Sequence, residues 1–339
     1  MAPRMTRLAL AVVLLTGMPA TASATTDAYQ WAALGDSYTA GIFVGDPLPA
    51  LGDPDRDGCD RTTNAYPDLV NQELAEFPPG NAVELADFSC GGAEIRHVAQ
   101  DDQRPMSPVD APAEWPSVSP QAQRAGLSQD TDVVTIGVGG NSLPFGGMLA
   151  KCIELGLGGG SCREHYENPP AGEEGIDAKI ARIQSEYIEV LAAVHDAAPT
   201  AKVITVGYPA VLPQDGSDCA LGDWRELLAI GHADVDWLRG VLERLNGTIA
   251  QVSSFFGDRY VDVYSSSVGH DACQPTDEKW VEGLCGDAAD YWPTEIQLPG
   301  LTVPCPDGAH ATLVHPNARH HANAALHVER AIRMALLDH

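Results

Sequence analysis

Five short apolar runs, near residues 29–34, 83–88, 132–138, 202–207 and 260–264, predict buried β-strands. Four of them are followed by loop material and then by a stretch with helical periodicity. The predicted helices cover about 64–76, 176–198, 224–255 and 317–337, the last beginning just after Pro316, where proline suits a first helical turn. Strands alternating with helices imply an α/β fold whose mostly parallel sheet is covered on both faces. Residues 101–120 contain Pro105, Pro108, Pro112, Pro116 and Pro120, so they can be neither helix nor central strand and read as a long surface loop.

The first two dozen residues fall outside this alternation. Arg4 and Arg7 precede an apolar run from Leu8 to Leu15, and Ala22-Ser23-Ala24 follows, the layout of a secretory signal peptide over residues 1–24 with cleavage after Ala24. The run is too short to span a bilayer, and no later stretch reaches the ~20 residues that spanning needs. The expectation is a secreted, extracellular chain with no stable membrane anchor and one large α/β domain over 25–339. Its net charge of −27 becomes more negative once the two leader arginines are removed. Such a surface repels nucleic acid and anionic headgroups, and reads as a solubilising coat.

All eight cysteines lie beyond the leader, and in an exported protein an even count points to disulfides before metal ligation. Spacing leaves the connectivity open. Pairing nearest neighbours in order gives Cys59–Cys90, Cys152–Cys162, Cys219–Cys273 and Cys285–Cys305.

Candidate chemistry begins at Gly35-Asp36-Ser37-Tyr38, directly after the first strand, where an α/β protein presents a nucleophile at a strand's carboxyl end. Three further segments follow the same logic. Ser89-Cys90-Gly91-Gly92-Ala93 follows the second strand, Gly137-Val138-Gly139-Gly140-Asn141 follows the third, and His315-Pro316-Asn317 stands at the mouth of the last helix. Singly, each matches an ordinary turn or a structural histidine.

Together, in this order, they resemble the GDSL/SGNH hydrolase superfamily, in particular its bacterial secreted lipase/esterase branch, over residues 29–337. The resemblance implies a flavodoxin-like, three-layer α/β/α fold with a central five-stranded sheet, and a serine hydrolase of carboxylic esters that needs no metal or cofactor. Position by position, Ser37 matches the nucleophile and His315 the general base. Gly92 and Asn141 match oxyanion donors beside the Ser37 amide. The residue types suit that chemistry, because a serine hydroxyl needs an imidazole to take its proton and the tetrahedral oxyanion needs donors fixed beforehand.

The chain departs from the family pattern twice. Ser142 stands where many relatives carry an acid after the asparagine. Thr312 stands three residues before the histidine, where an aspartate often orients the ring; the expectation is that the Thr312 backbone carbonyl does so instead, giving a Ser–His dyad. Asp307-Gly308-Ala309-His310 has the Asp-x-x-His spacing and is the rival acid and base.

Other segments carry two readings each. Asp53-Pro54-Asp55-Arg56-Asp57-Gly58 resembles half a calcium loop but has Asn64 where the bidentate glutamate belongs, which favours an acidic surface turn. Leu155-Gly156-Leu157-Gly158-Gly159-Gly160 reads as a flexible loop closed by a disulfide. Leu143-Pro144-Phe145 and Phe43 are either the lining of an apolar acyl groove or core. The substrate is a lipid or a smaller water-soluble ester, acted on by a monomer. A non-catalytic binding module on the same fold and a polysaccharide deacetylase are the alternatives.

Overall fold

Five strands form one sheet: β1 (Tyr29–Gly35), β2 (Val83–Asp87), β3 (Val133–Gly137), β4 (Lys202–Val206) and β5 (Arg259–Val261). Their order is β2-β1-β3-β4-β5, and every neighbouring pair is parallel. These features belong to a computed structural model that describes residues 28–298 and 301–337. The expected leader, residues 1–24, lies outside the described residues.

Alternate residues of each strand enter different layers. Ala32, Leu34, Val134, Ile136 and Val203 pack under α4 (Ile176–Ala197) and α5 (His232–Phe256). Trp31, Ala33, Val133, Ile204 and Val206 face α2 (Tyr66–Glu76) and α6 (Ala318–Leu337). On α2 the buried Tyr66, Val70 and Leu74 recur every fourth residue, which is the stripe a helix needs to lie on a sheet. Burial on both faces is why the strands read as continuous apolar runs. The strand order reverses between β1 and β3, and a sheet of this kind opens a crevice at the carboxyl ends of those two strands.

Several expected boundaries move. The fifth strand is short and begins at Arg259. The helix expected from 224 begins at His232, because Leu228 takes a left-handed conformation with φ 53° and the Gly222 and Leu228 backbones close a loop on themselves. Residues 101–120 keep out of regular secondary structure, apart from a bridge between Gln103 and Val118. They are nonetheless anchored: Trp115 Nε1 donates to the Ser107 carbonyl at 2.9 Å, and Ser107 Oγ donates to Asp60 at 2.8 Å.

Of the glycine-rich loop expected at 155–160, the first half is helical instead, and only Gly158–Gly160 form a turn inside the expected Cys152–Cys162 link. Helix α3 (Phe145–Leu157) buries Met148, Leu149, Cys152 and Ile153 and ends only at Gly158. Its glycines mislead as local signals, since Gly156 serves a close packing contact: a Cβ there would collide with the Ala229 carbonyl oxygen. Gly156→Ala therefore destabilises the protein by about 1–3 kcal/mol despite alanine's better helix propensity, read as a lower denaturation midpoint. A midpoint at or above that of the parent would show that the contact relaxes freely.

All eight cysteines are joined in the four expected pairs. Cys59–Cys90 ties the loop after α1 (Ser37–Ala40) to the turn after β2, and Cys152–Cys162 joins α3 to the short helix Cys162–Glu167. Each such link typically contributes about 2–4 kcal/mol by restricting the unfolded chain.

Candidate active site

The chain leaves β1 through a turn that only glycine permits at position 35, where a Cβ would meet Thr39 and the Gly137 carbonyl. Asp36 then caps the single turn of α1, its Oδ1 accepting the Tyr38 amide at 3.0 Å. This sets Ser37 at the crevice, 7% exposed.

His315 arrives from the far end of the chain on a loop pinned to residues 282–284: the Val314 amide donates to the Gly283 carbonyl at 2.7 Å, and the Glu282 amide to the His315 carbonyl at 2.9 Å. Leu313 and Val314 both have positive φ, 50° and 64°, a costly conformation for a β-branched residue. Tyr38, beside the candidate nucleophile, donates its hydroxyl to the Val314 carbonyl at 2.6 Å and helps hold that bend. The bend turns the Thr312 carbonyl to within 2.8 Å of His315 Nδ1, and His315 Nε2 lies 2.9 Å from Ser37 Oγ.

A carbonyl can only accept, so Nδ1 carries the proton and Nε2 offers its lone pair to the serine hydroxyl. Burial among apolar neighbours, with the Tyr38 and Phe43 rings at 5.2 and 5.3 Å, lowers the His315 pKa to about 4, against the opposing pull of the Thr312 carbonyl. The imidazole is therefore neutral, and able to accept a proton, down to mildly acidic pH. The rival pair is dispersed: Asp307 is exposed and bound to Arg225 at 2.9 Å, while His310 exchanges backbone hydrogen bonds with Gly286.

The two expected oxyanion positions are tied to the serine turn and to each other. The turn at Gly92, with φ 75°, hangs from β1 through the Cys90 amide, which donates to the Gly35 carbonyl at 3.0 Å. Asn141 Nδ2 donates to the Ala93 carbonyl at 2.9 Å, which spends one of its two N–H bonds on fixing the amide and leaves the other. Among the described residues the Ser37 and Gly92 amides take no protein acceptor. Ser142 has a structural task, its Oγ accepting the Ile95 amide at 2.9 Å.

Ser37, Asn141 and His315 border one pocket, which is also lined by apolar side chains: Phe145 and Leu149 from α3, Leu242 and Leu245 from α5. Phe145 thus lines the pocket, whereas Leu143 is core and Pro144 is exposed. Phe43 packs on Trp292 at 4.4 Å and borders a second groove that His315 also lines, together with Asp46, Glu282 and Asn317. The acidic turn at 53–58 is engaged internally: Asp57 pairs with Arg61 and Arg124, and Asp53 accepts the Asp55 amide.

Sequence reading assigned no role to Asp36, Tyr38 or Tyr208. Tyr208 follows β4 as the other site segments follow their strands, and that position was its one available signal.

The family model for GDSL-like lipase/acylhydrolases matches residues 33–322. The chain belongs to the GDSL-like lipase/acylhydrolase family. It is 31% identical over 272 residues to "Lipase 2" of Streptomyces coelicolor, covering 78% of this chain and 79% of that protein. It is 27% identical over 289 residues to "Esterase" of Streptomyces scabiei, covering 80% and 78%. In three dimensions it resembles the extracellular lipase of Streptomyces rimosus, with a TM-score of 0.56 and 20% identity over 90% of this chain and 99% of that one. Phospholipase A1 of Streptomyces albidoflavus NA297 gives a TM-score of 0.55, with the same identity and coverage. As a GDSL-like acylhydrolase, the protein is a carboxylic ester hydrolase. No helix among its described residues is long and apolar enough to cross a membrane.

Proposed function

We propose that this GDSL-like hydrolase works as a secreted lipase or esterase through a Ser37–His315 dyad and an acyl-enzyme intermediate. The observation that carries the reading is the unbroken relay from the Thr312 carbonyl through His315 to Ser37 Oγ, with 2.8 and 2.9 Å steps. His315 Nε2 takes the hydroxyl proton as Ser37 Oγ attacks the ester carbonyl carbon. The carbonyl oxygen, now negative, is met by the Ser37 and Gly92 amides and by Asn141 Nδ2. Collapse expels the alcohol, which leaves with the proton from Nε2. Water, deprotonated by the same nitrogen, then releases the acid and restores the serine.

The apolar wall of Phe145, Leu149, Leu242 and Leu245 supports an acyl group bound beside Asn141. The likeness to lipases and an esterase supports lipid or simpler carboxylic esters as substrates, and the four disulfides support an oxidising, extracytoplasmic destination reached through the leader. No stable membrane anchor is needed for that route.

Treatment with a fluorophosphonate followed by peptide mass spectrometry tests the mechanism. One adduct is expected, on Ser37, formed at a rate that stays high through pH 5 and falls only as His315 is protonated near pH 4. Labelling elsewhere, or an acid limb at the ordinary histidine pKa of about 6.5, would count against the dyad in this form.

A further inference from the structure

We propose that Tyr208 is a positioning residue for ester hydrolysis, a strap whose single phenol oxygen holds the oxyanion turn Gly139–Asn141 at a fixed distance from the nucleophile turn Asp36–Ser37. The proposal rests on Asn141 acting as an oxyanion donor.

The need for a strap follows from the sheet. β1 and β3 are neighbours, and their ladder ends with the Asp36 amide donating to the Gly137 carbonyl at 2.9 Å. Beyond it the two chains part, one towards Ser37 and the other towards Asn141, and no ladder bond sets their spacing. Tyr208 enters that gap from the end of β4. Its hydroxyl donates to Asp36 Oδ2 at 2.5 Å and accepts the Gly140 amide at 2.7 Å. Asp36 passes the constraint to α1 through its second oxygen on the Tyr38 amide, and Gly140 passes it to Asn141 through one peptide bond.

The strap is itself immobilised. Asn246 of α5 grips the Tyr208 backbone from both sides, its Oδ1 accepting the amide at 2.8 Å and its Nδ2 donating to the carbonyl at 2.9 Å. The ring meets Tyr38 edge-on at 5.2 Å and lies so close to Gly140 that a Cβ there would stand 3.3 Å from the ring and its oxygen. Tyr208 is 4% exposed and Asp36 1%, so water does not compete for these bonds. Oxyanion donors are effective when their positions are fixed before charge develops, and a displacement of about 1 Å can cost on the order of 10²-fold in rate.

Tyr208→Phe removes only the oxygen. Kinetics on a p-nitrophenyl ester are measured for the parent, Tyr208→Phe, Asn141→Ala and the double variant, with melting curves confirming folded protein. The expected result is a kcat about 10–100-fold lower for Tyr208→Phe with KM within about 3-fold, and a double variant no more than about 3-fold below Asn141→Ala alone. A purely structural tyrosine gives losses that multiply, and that outcome overturns the proposal, as does a Tyr208→Phe kcat within about 3-fold of the parent. Should Tyr208→Phe not fold, Asp36→Asn loosens the strap from its other end, and the same failure to multiply with Asn141→Ala is required. Asn141→Ala at the parental rate would remove the oxyanion reading itself, whereas an impaired Asn141→Ala beside an unaffected Tyr208→Phe would remove the strap alone.

Discussion

Alanine at His315 lowers kcat for ester hydrolysis by about 10⁴-fold or more, while alanine at His310 leaves it within a few-fold of the parent. The contrast follows from where the two imidazoles sit. His315 faces the Ser37 hydroxyl at 2.9 Å and has its other nitrogen satisfied by the Thr312 carbonyl, so its removal leaves a serine with no group to take its proton. His310 is buried beside the Gly286 strand bridge, and its nearest acid by sequence spacing, Asp307, is turned outward to Arg225. Its loss affects packing rather than proton transfer. Steady-state rates on a p-nitrophenyl ester decide the matter, and turnover abolished in the second variant but kept in the first would reverse the assignment. A carbonyl in place of the family's frequent aspartate supplies a dipole instead of a full charge for the imidazolium. That suits a ring whose pKa burial has already lowered, since the neutral base is then the resting form.

Asn141→Ala is the second large effect, a fall of about 10²–10³-fold in kcat with KM little changed. In the proposed mechanism the amide has two jobs that share one nitrogen. One N–H is anchored on the Ala93 carbonyl at 2.9 Å, which joins the Asn141 turn to the Gly92 turn, and the other is left for the developing oxyanion. Removing the side chain deletes a donor and loosens the position of a second. The ground-state ester carbonyl gains less from these bonds than the tetrahedral oxyanion does, which is why the loss belongs in kcat. Rates on the same ester that match the parent would exclude Asn141 from the mechanism.

Much of this arrangement was legible in the chain, for identifiable reasons. Central strands buried on both faces have to be apolar, so the runs at 29–34, 132–138 and 202–207 stand out, while the edge run at 83–88 carries Glu84 and Asp87; β1 to β4 fall within a residue or two of the expected runs. Functional groups in such a sheet gather at the strand ends, so the candidates Ser37, Gly92 and Asn141 were reached by walking from each strand into its loop. The cysteines paired in sequence order because Cys59–Cys90 and Cys219–Cys273 join loops that follow strands of the sheet, while Cys152–Cys162 and Cys285–Cys305 close short stretches of chain.

What failed depended on a distant partner or on an unusual backbone conformation. Gly156 is a poor helix former that sits in a helix because the Ala229 carbonyl passes over it. Leu228 delays the start of α5 because its own loop closes in the left-handed region. The first cause is not local and leaves no local trace; the second is a tight turn between Gly222 and Leu228 that a leucine does not announce.

The sequence alone determined the layer order, the nucleophile candidate and the choice of residues able to do ester chemistry, because these follow from periodicity and from the side-chain types placed after each strand. Which histidine meets Ser37 emerges in three dimensions, since 278 positions separate the two and the choice between His310 and His315 turns on a backbone bend at Leu313 and Val314. Only the tertiary structure revealed the Asp36–Tyr208–Gly140 link. That link is a matter of three atoms converging from three different strand ends, and convergence in space has no counterpart in the order of residues along a chain.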